Sequence, residues 1–538
     1  MERKLLIIVI FLFVYHTTFS QNPNYKAKRV IKINKGEKWF GGTVDDGFVM
    51  PFADGYKFNL YGDNNDNQAA PLLLSTNGRF IWSDQPFEFS FSNGQLIIDK
   101  AIDRVVVVNA GTSLSDAFKL ASKKKFAPSG KMPDSLLFSR PQYNTWIELA
   151  YNQNQTDILK YAHQVIDNGF PAGVLMIDDH WADYYGKFSF RKDRFPDPAS
   201  MIDQLHLLGF KVMLWVSPFI SSDSEIFQTL NDKKLLLMDN KGDKSLTWNK
   251  ADQAAIIHWW NGYSALLDFT NPKAVEWYND QLHNMVTNYK LDGFKFDAGD
   301  MEFYSGNIVS YKDASPNEQT SLWGDFGLSY PLNEYRAMWK KGGQPLAERL
   351  RDKKHSWEDL QKLIPDITVA GLLGYQFTCP DMIGGGEYGS FIGLAKIDQD
   401  LVVRSAQCSA LMPMMQFSVA PWRILDSVHL KAVKKAVDIR MTYTPYIMKT
   451  VRQSAFSGEP VIRNLAYQFP GQGLDTVRDQ FMLGDALMIA PVVNKGNSRK
   501  IIFPAGKWKD SNGKVFEGPA TKNIEVALDQ IPVFEKLP

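Results

Sequence analysis

The sequence predicts a multidomain α/β protein, a (β/α)8 TIM barrel flanked by an N-terminal β-sandwich and a C-terminal β-domain. Three observations predict it. Short β-type runs broken by Gly, Asn and Asp fill residues 21–132, a strand–helix–strand rhythm fills 133–455, and the β rhythm returns over 456–538 as a second β-sandwich. The 538-residue chain is also too long for one hydrophobic core, since such cores stop growing at roughly 250–300 residues.

Taken in order, Met1-Glu2-Arg3-Lys4 and the apolar stretch Leu5 to Tyr15 read as the basic and hydrophobic regions of a signal peptide over residues 1–20. The apolar stretch is shorter than the ~20 residues that span a bilayer. Cleavage after Ser20 is expected, giving an exported protein, periplasmic or secreted, with no membrane attachment after cleavage. In the first β-domain the runs are Phe48-Val49-Met50, Phe80-Ile81-Trp82, Phe87 to Phe91, Gln95 to Ile98 and Val105 to Val108, with Asn93-Gly94 as a hairpin turn. Barrel strands are expected at Thr145-Trp146-Ile147, Gly173 to Ile177, Lys211 to Val216 and Gly293 to Asp297, with helices over Thr156–Asn168, Pro198–Leu208 and Ala274–Tyr289. The stretch between Ser221 and Asp268 reads as an insertion covering the substrate. C-terminal strands are expected at Gln480-Phe481-Met482, Ala486 to Ala490, Lys500 to Phe503 and Ile524 to Leu528.

Composition narrows the chemistry. Lys plus Arg (60) and Asp plus Glu (59) nearly cancel, which argues against nucleic acid as a partner and for a neutral substrate. The 14 Trp fit either stacking platforms for sugar faces or a large aromatic core. No His-Glu-x-x-His pair, calcium loop or phosphate loop occurs, so no metal and no cofactor is expected. Cys379 and Cys408 are either one bridge or two buried thiols.

Three acidic positions end strand-like runs: Asp178-Asp179, Asp297 after Phe294-Lys295-Phe296, and Asp381 after Tyr375 to Pro380. In a barrel such tips converge on one mouth, where catalysis sits. Asp352 differs, because Glu348-Arg349-Leu350-Arg351-Asp352-Lys353-Lys354 reads as a loop or helix end. Lone carboxylates usually cap helices or pair on surfaces; several at one mouth weaken that explanation.

Four motifs, Trp259-Trp260-Asn261-Gly262, Leu267-Asp268-Phe269-Thr270, Phe294 to Gly299 and Pro380 to Gly385, resemble those of glycoside hydrolase family 31, more narrowly its α-galactosidase branch. The resemblance implies a retaining, exo-acting α-galactosidase working by double displacement on a galactose-containing oligosaccharide or glycoside. Position by position it implies Asp297 as nucleophile and Asp352 as acid/base, although Arg351 and Lys353 stand where the family has Gly and a small or polar residue. Arg336 matches a substrate-contacting Arg, Asp178 and Asp179 an acidic pair holding sugar hydroxyls, and Trp146 and Trp260 aromatic residues around the sugar. Trp215, Lys295 and Asp381 complete the expected substrate-binding set, with core packing as the alternative for the tryptophans and simple charge pairing for Lys295. The family's glucosidases carry a substrate-contacting His where this chain has Ser418. That departure leaves room for galactose with its axial O4. An α-glucosidase, α-xylosidase or α-N-acetylgalactosaminidase on the same scaffold, or a silent sugar-binding protein, are the competing expectations.

Overall fold

The computed structural model describes residues 25–392 and 397–538, so the expected signal peptide lies outside the described residues. Eight strands pair in parallel and in chain order: β1 (Gln142–Asn144), β2 (Val174–Ile177), β3 (Lys211–Val216), β4 (Gly293–Phe296), β5 (Asn333–Tyr335), β6 (Glu348–Arg349), β7 (Thr378–Cys379) and β8 (Gln416–Phe417). β8 returns to pair with β1, and a parallel bridge from Met382 to Gln416 closes the ring beside β7. This is the expected TIM barrel.

Strand register decides what faces inward. Trp215 opposes Lys295 and Lys295 opposes Glu334, so these side chains share one side, while Val216, Phe296 and Tyr335 share the other. The inward set is polar, unlike the branched aliphatic filling common in such barrels. Gln416 donates to Glu334 Oε2 at 2.7 Å and to Gln142 Oε1 at 2.8 Å, and Lys295 donates to Asp178 Oδ2 at 2.8 Å. Buried charges persist only when paired, so this network fixes Lys295 beneath the tip of β4. Gly293 opens β4 because a Cβ there would lie 2.0 Å from the carbonyl oxygen of Leu332, the residue before β5.

Caps account for where the barrel helices start. Asn154 accepts from the Asp157 amide, Asp197 from Ser200 ahead of Pro198, and Asn271 from Lys273 ahead of Pro272. The helices that follow, Gln155–Asp167, Pro198–Leu207 and Pro272–Tyr289, lie close to the expected windows.

Three segments differ from expectation. Trp146–Leu149 is a helical turn rather than a strand, because Asn144 Oδ1 accepts from the Trp146 amide at 2.8 Å and ends β1 early. Phe48-Val49-Met50 is not a strand either. Gly47–Val49 forms a 3-10 turn pressed on the helix Trp357–Leu372, with Gly47 against the Pro365–Asp366 backbone. Glu348–Arg349, read as loop or helix end, is barrel strand β6.

The N-terminal strands form two sheets. One is Arg29–Lys32, Gln95–Asp99, Glu88–Ser92 and Lys57–Asn59; the other contains Trp39–Thr43, Gln68–Ser75, Arg79–Trp82 and Val106–Asn109. Asn93 and Gly94 both have positive φ, 52° and 69°, as the expected hairpin turn requires. A barrel segment, Met338–Trp339, pairs in parallel with Gln68 and Ala69 and so joins the second sheet to the barrel mouth. At the other end, Ile462–Arg463, Phe481–Leu483, Leu487–Ile489, Val533–Lys536, Ser498–Asp510 and Val515–Glu525 are hydrogen-bonded in that order and make up the C-terminal β-domain. Ser498–Asp510 and Val515–Glu525 form a long hairpin, and Met482, Met488, Phe503, Trp508 and Phe534 make a separate core on this sheet. Cys379 and Cys408 are free, buried thiols, so the bridged alternative falls.

Candidate active site

Asp297 follows β4 directly and inherits its inward alternation. It is buried, and Trp215 Nε1 donates to its Oδ2 at 2.7 Å. Lys295 Nζ lies 3.6 Å from Oδ2 and Arg336 Nε 3.8 Å from Oδ1. Among the described residues, none donates a hydrogen bond to Oδ1. Burial alone would raise its proton affinity, but Lys295, Arg336 and Arg349 together with the indole N–H hold the carboxyl well below the usual carboxylate range. Trp215 is therefore a fixed partner of Asp297 as well as part of the wall. Arg336, just after β5, is largely buried: it donates to Asp300, and its guanidinium lies 4.7 Å from the centroid of the Trp260 ring.

The insertion supplies that ring. Phe219–Ser221, Ile256–Trp259 and Gly262–Leu266 form a three-stranded antiparallel sheet whose hairpin tip is Trp260-Asn261. Trp260 remains 43% exposed, so one face is open at the mouth. Asn261 Nδ2 donates to Asp179 Oδ2 at 2.8 Å, and the Tyr185 hydroxyl donates to the same oxygen at 3.0 Å. Burial, and then the adjacent Asp178, push the Asp179 carboxyl up to about 8. Asp178 is engaged by Lys295. The acidic pair thus reaches the mouth with much of its bonding internal. Trp146 is half-buried; its Nε1 donates to the Gly386 carbonyl at 3.2 Å, and its ring meets Tyr151 and Tyr388.

Asp352 follows β6, with its side chain 32% exposed. Arg349 binds it: Nη1 donates to Asp352 Oδ1 at 2.6 Å and to Asp381 Oδ1 at 3.0 Å. Asp381, expected to touch the sugar, is instead committed to the loop of Asp352. Its Oδ2 accepts from the Lys353 amide at 2.8 Å and the Gly386 amide at 3.0 Å, and its backbone has φ 122°, strained for a non-glycine residue. Burial raises its carboxyl to about 7 against the opposing pull of Arg349. Ser418 is fully buried and its Oγ accepts from the Ile147 amide at 2.7 Å, so its hydroxyl is committed to the backbone beside Trp146.

Gly386 leaves the space in which these carboxylates meet. A Cβ there would lie 2.8 Å from Asp352 Oδ1 and 2.7 Å from Asp381 Oδ1. Gly386→Ala should therefore lower kcat by roughly 10- to 100-fold, the cost of displacing a reacting group by up to an ångström, with a smaller change in KM in steady-state kinetics. An unchanged kcat would remove Asp352 from the reacting groups.

The sequence missed Arg349, Asn261, Tyr185 and Asp300. Only Asn261, inside a quoted motif, had a signal. Among the described residues, Asp66, Asp300 and Glu302 bring carboxylate oxygens within 4.8 Å of one another, with Arg336 already beside Asp66 and Asp300.

Residues 137–450 match the TIM-barrel domain of glycosyl hydrolases family 31, and 458–536 match the C-terminal domain of that family. The chain is 30% identical to the mouse myogenesis-regulating glycosidase, over 79% of this chain and 60% of the relative. It is 25% identical to alpha-xylosidase XylQ of Lactiplantibacillus pentosus, over 86% of this chain and 62% of the relative. It thus spans about 60% of the length of these two relatives. A Flavobacterium johnsoniae GH31 dextranase complexed with glucose has the same fold, with a TM-score of 0.83 at 20% identity over 96% of this chain and 67% of that one.

Proposed function

The chain belongs to glycoside hydrolase family 31, and from that premise we propose that it is a retaining, exo-acting α-glycoside hydrolase whose sugar is galactose. The observation that carries the hydrolase reading is Asp297, a buried carboxylate with Lys295 at 3.6 Å and Arg336 at 3.8 Å, whose Oδ1 accepts no hydrogen bond among the described residues. Oδ1 attacks the anomeric carbon while Asp352 protonates the departing oxygen, giving a covalent β-glycosyl-enzyme. Water, deprotonated by Asp352, then releases the α-configured sugar. Trp215 holds Oδ2 and so aims Oδ1, and Arg336 balances the negative charge of the Asp297–Asp300 region.

The galactose assignment is supported by position 418. A substrate-contacting His is replaced by a Ser that turns away to the Ile147 amide, which removes one donor from the sugar pocket. A terminal α-glucoside or α-xyloside is the second reading, favoured by the alpha-xylosidase among the relatives. Aryl α-glycosides of galactose, glucose, xylose and N-acetylgalactosamine separate them. The galactoside should lead in kcat/KM by about 100-fold, because a site built to bond one hydroxyl arrangement rejects another strongly. A lead for a different sugar would replace galactose, whereas galactose binding with no turnover on any of the four would overturn the hydrolase reading.

A further inference from the structure

Asp45 belongs to the N-terminal domain, just beyond the strand Trp39–Thr43, yet it lies against the loop that carries Asp352. Its Oδ1 is 2.8 Å from Arg351 Nε, 3.8 Å from Lys353 Nζ and 3.3 Å from Asn67 Nδ2. These are the two cationic side chains flanking Asp352, and the positions at which the loop departs from the family's small residues. The backbone is held at the same places. The Arg351 amide donates to Asn67 Oδ1 at 3.3 Å, and the Lys353 amide to Asp381 Oδ2 at 2.8 Å. Lys353 Nζ also donates to Asp366 Oδ2 at 2.8 Å, from the helix Trp357–Leu372. Asp45 is buried, whereas Asp352 between its neighbours is one-third exposed.

We propose that Asp45 is a positioning residue for the acid/base step, supplied by the N-terminal domain, which neutralises Arg351, backs Lys353 and so fixes the place of Asp352 and the charge of the loop that carries it. The proposal rests on Asp352 being the acid/base. The charged groups on the loop of Asp352 and packed against it are Arg349 and Asp381 from the barrel, Arg351 and Lys353 from the loop itself, Asp45 from the N-terminal domain and Asp366 behind Lys353. Removing the charge of Asp45 leaves Arg351, the residue before Asp352, without its carboxylate partner, while Lys353 keeps Asp366. A nearby positive charge favours the carboxylate, so the proton leaves at lower pH.

The test uses the full chain and the aryl α-glycoside that the wild type turns over fastest, with a good and a poor phenol leaving group. Asp45→Asn should move the alkaline limb of kcat/KM down by roughly half a pH unit, a fraction of what a contact charge produces. It should also cut kcat at least several-fold more on the poor leaving group than on the good one. Asp45→Glu should restore most of the poor-leaving-group rate. Arg351→Gln should move the limb upward, and the double variant Asp45→Asn with Arg351→Gln should return it toward wild type. A purely structural loss would lower rates on both leaving groups equally and leave the limb in place, which would overturn the proposal. Where Asp45→Asn melts markedly lower than the wild type, the upward shift in Arg351→Gln decides alone, and its absence overturns the proposal. Asp352→Asn is the control. If it too shows equal losses on both leaving groups, the acid/base assignment fails; if it is selective and Asp45→Asn is not, only the Asp45 proposal fails.

Discussion

Asp297→Ala should abolish turnover on an activated aryl α-glycoside, with a loss on the order of 10⁴-fold or more in kcat, since a nucleophile removed from a concerted set costs nearly the whole chemical step. The fold should survive, because Lys295 keeps Asp178 and Arg336 keeps Asp300 as partners. The product identifies the role. With azide present, Asp297→Ala should regain activity and yield the β-glycosyl azide, one displacement having inverted the centre. Asp352→Ala with azide should instead give the α-azide, because the covalent intermediate still forms. An α-azide from the Asp297 variant would exchange the two roles. The pH profile offers a second check. Asp297 has a depressed proton affinity in the folded state, so any stability or activity that depends on its charge is present above the unfolded value of about 3.9 and is lost only below it. Above pH 4 the acid limb must therefore come from another group, and a limb near pH 5 that was absent from the azide-rescued Asp297→Ala variant would contradict this account.

The part of the site built on β2 and β4 was legible, and the part built on β6 was not. β4 shows apolar–charged alternation because Phe294 and Phe296 face the helices while Lys295 faces a polar barrel interior. Its carboxylate could therefore be placed from pattern alone. β6 is two residues long and charged on both faces: Arg349 points into the barrel, and Glu348 packs toward Gln68 of the N-terminal domain. A strand buried on both sides by charges has no hydrophobic period, so it read as a loop. Asp381 ended a strand-like run as expected, but its role changed, because the sequence shows where a side chain emerges and not what amides await it. Asn261, Tyr185 and Asp45 reach the site from distant segments, and their contacts exist only once the insertion and the N-terminal domain fold onto the barrel. The Asn93-Gly94 turn was legible because it is decided within a few residues.

Arg349→Met should destabilise the protein by about 3–5 kcal/mol, the usual cost of removing one partner from a buried ion cluster. Arg349 is fully buried and faces carboxylates on three segments: Glu334 at 3.6 Å, Asp352 at 2.6 Å and Asp381 at 3.0 Å. Met replaces the stem volume and removes the charge, so the loss reports electrostatics more than packing. Its pH dependence has a definite sign. Burial raises both Glu334 and Asp381 above their usual values even with Arg349 opposing it. A carboxyl raised in the folded state contributes stability that is present below its unfolded value near 4 and is lost as pH rises through its folded value, about 7 for Asp381. Without the arginine the folded values rise further, and the variant keeps losing stability over a range where the wild type has already levelled off. The gap between the two should therefore be smallest near pH 5 and widen between pH 7 and 9. Denaturant melts at those pH values measure it, and a deficit below about 1 kcal/mol at every pH would mean the carboxylates are held apart by something other than Arg349. Kinetically the same variant should lose kcat through Asp352, whose direct partner at 2.6 Å is gone. That loss should be greater on poor leaving groups, because Asp381 still fixes the Lys353 amide and with it the backbone of the loop, while the Asp352 carboxyl itself is left without the donor that orients it.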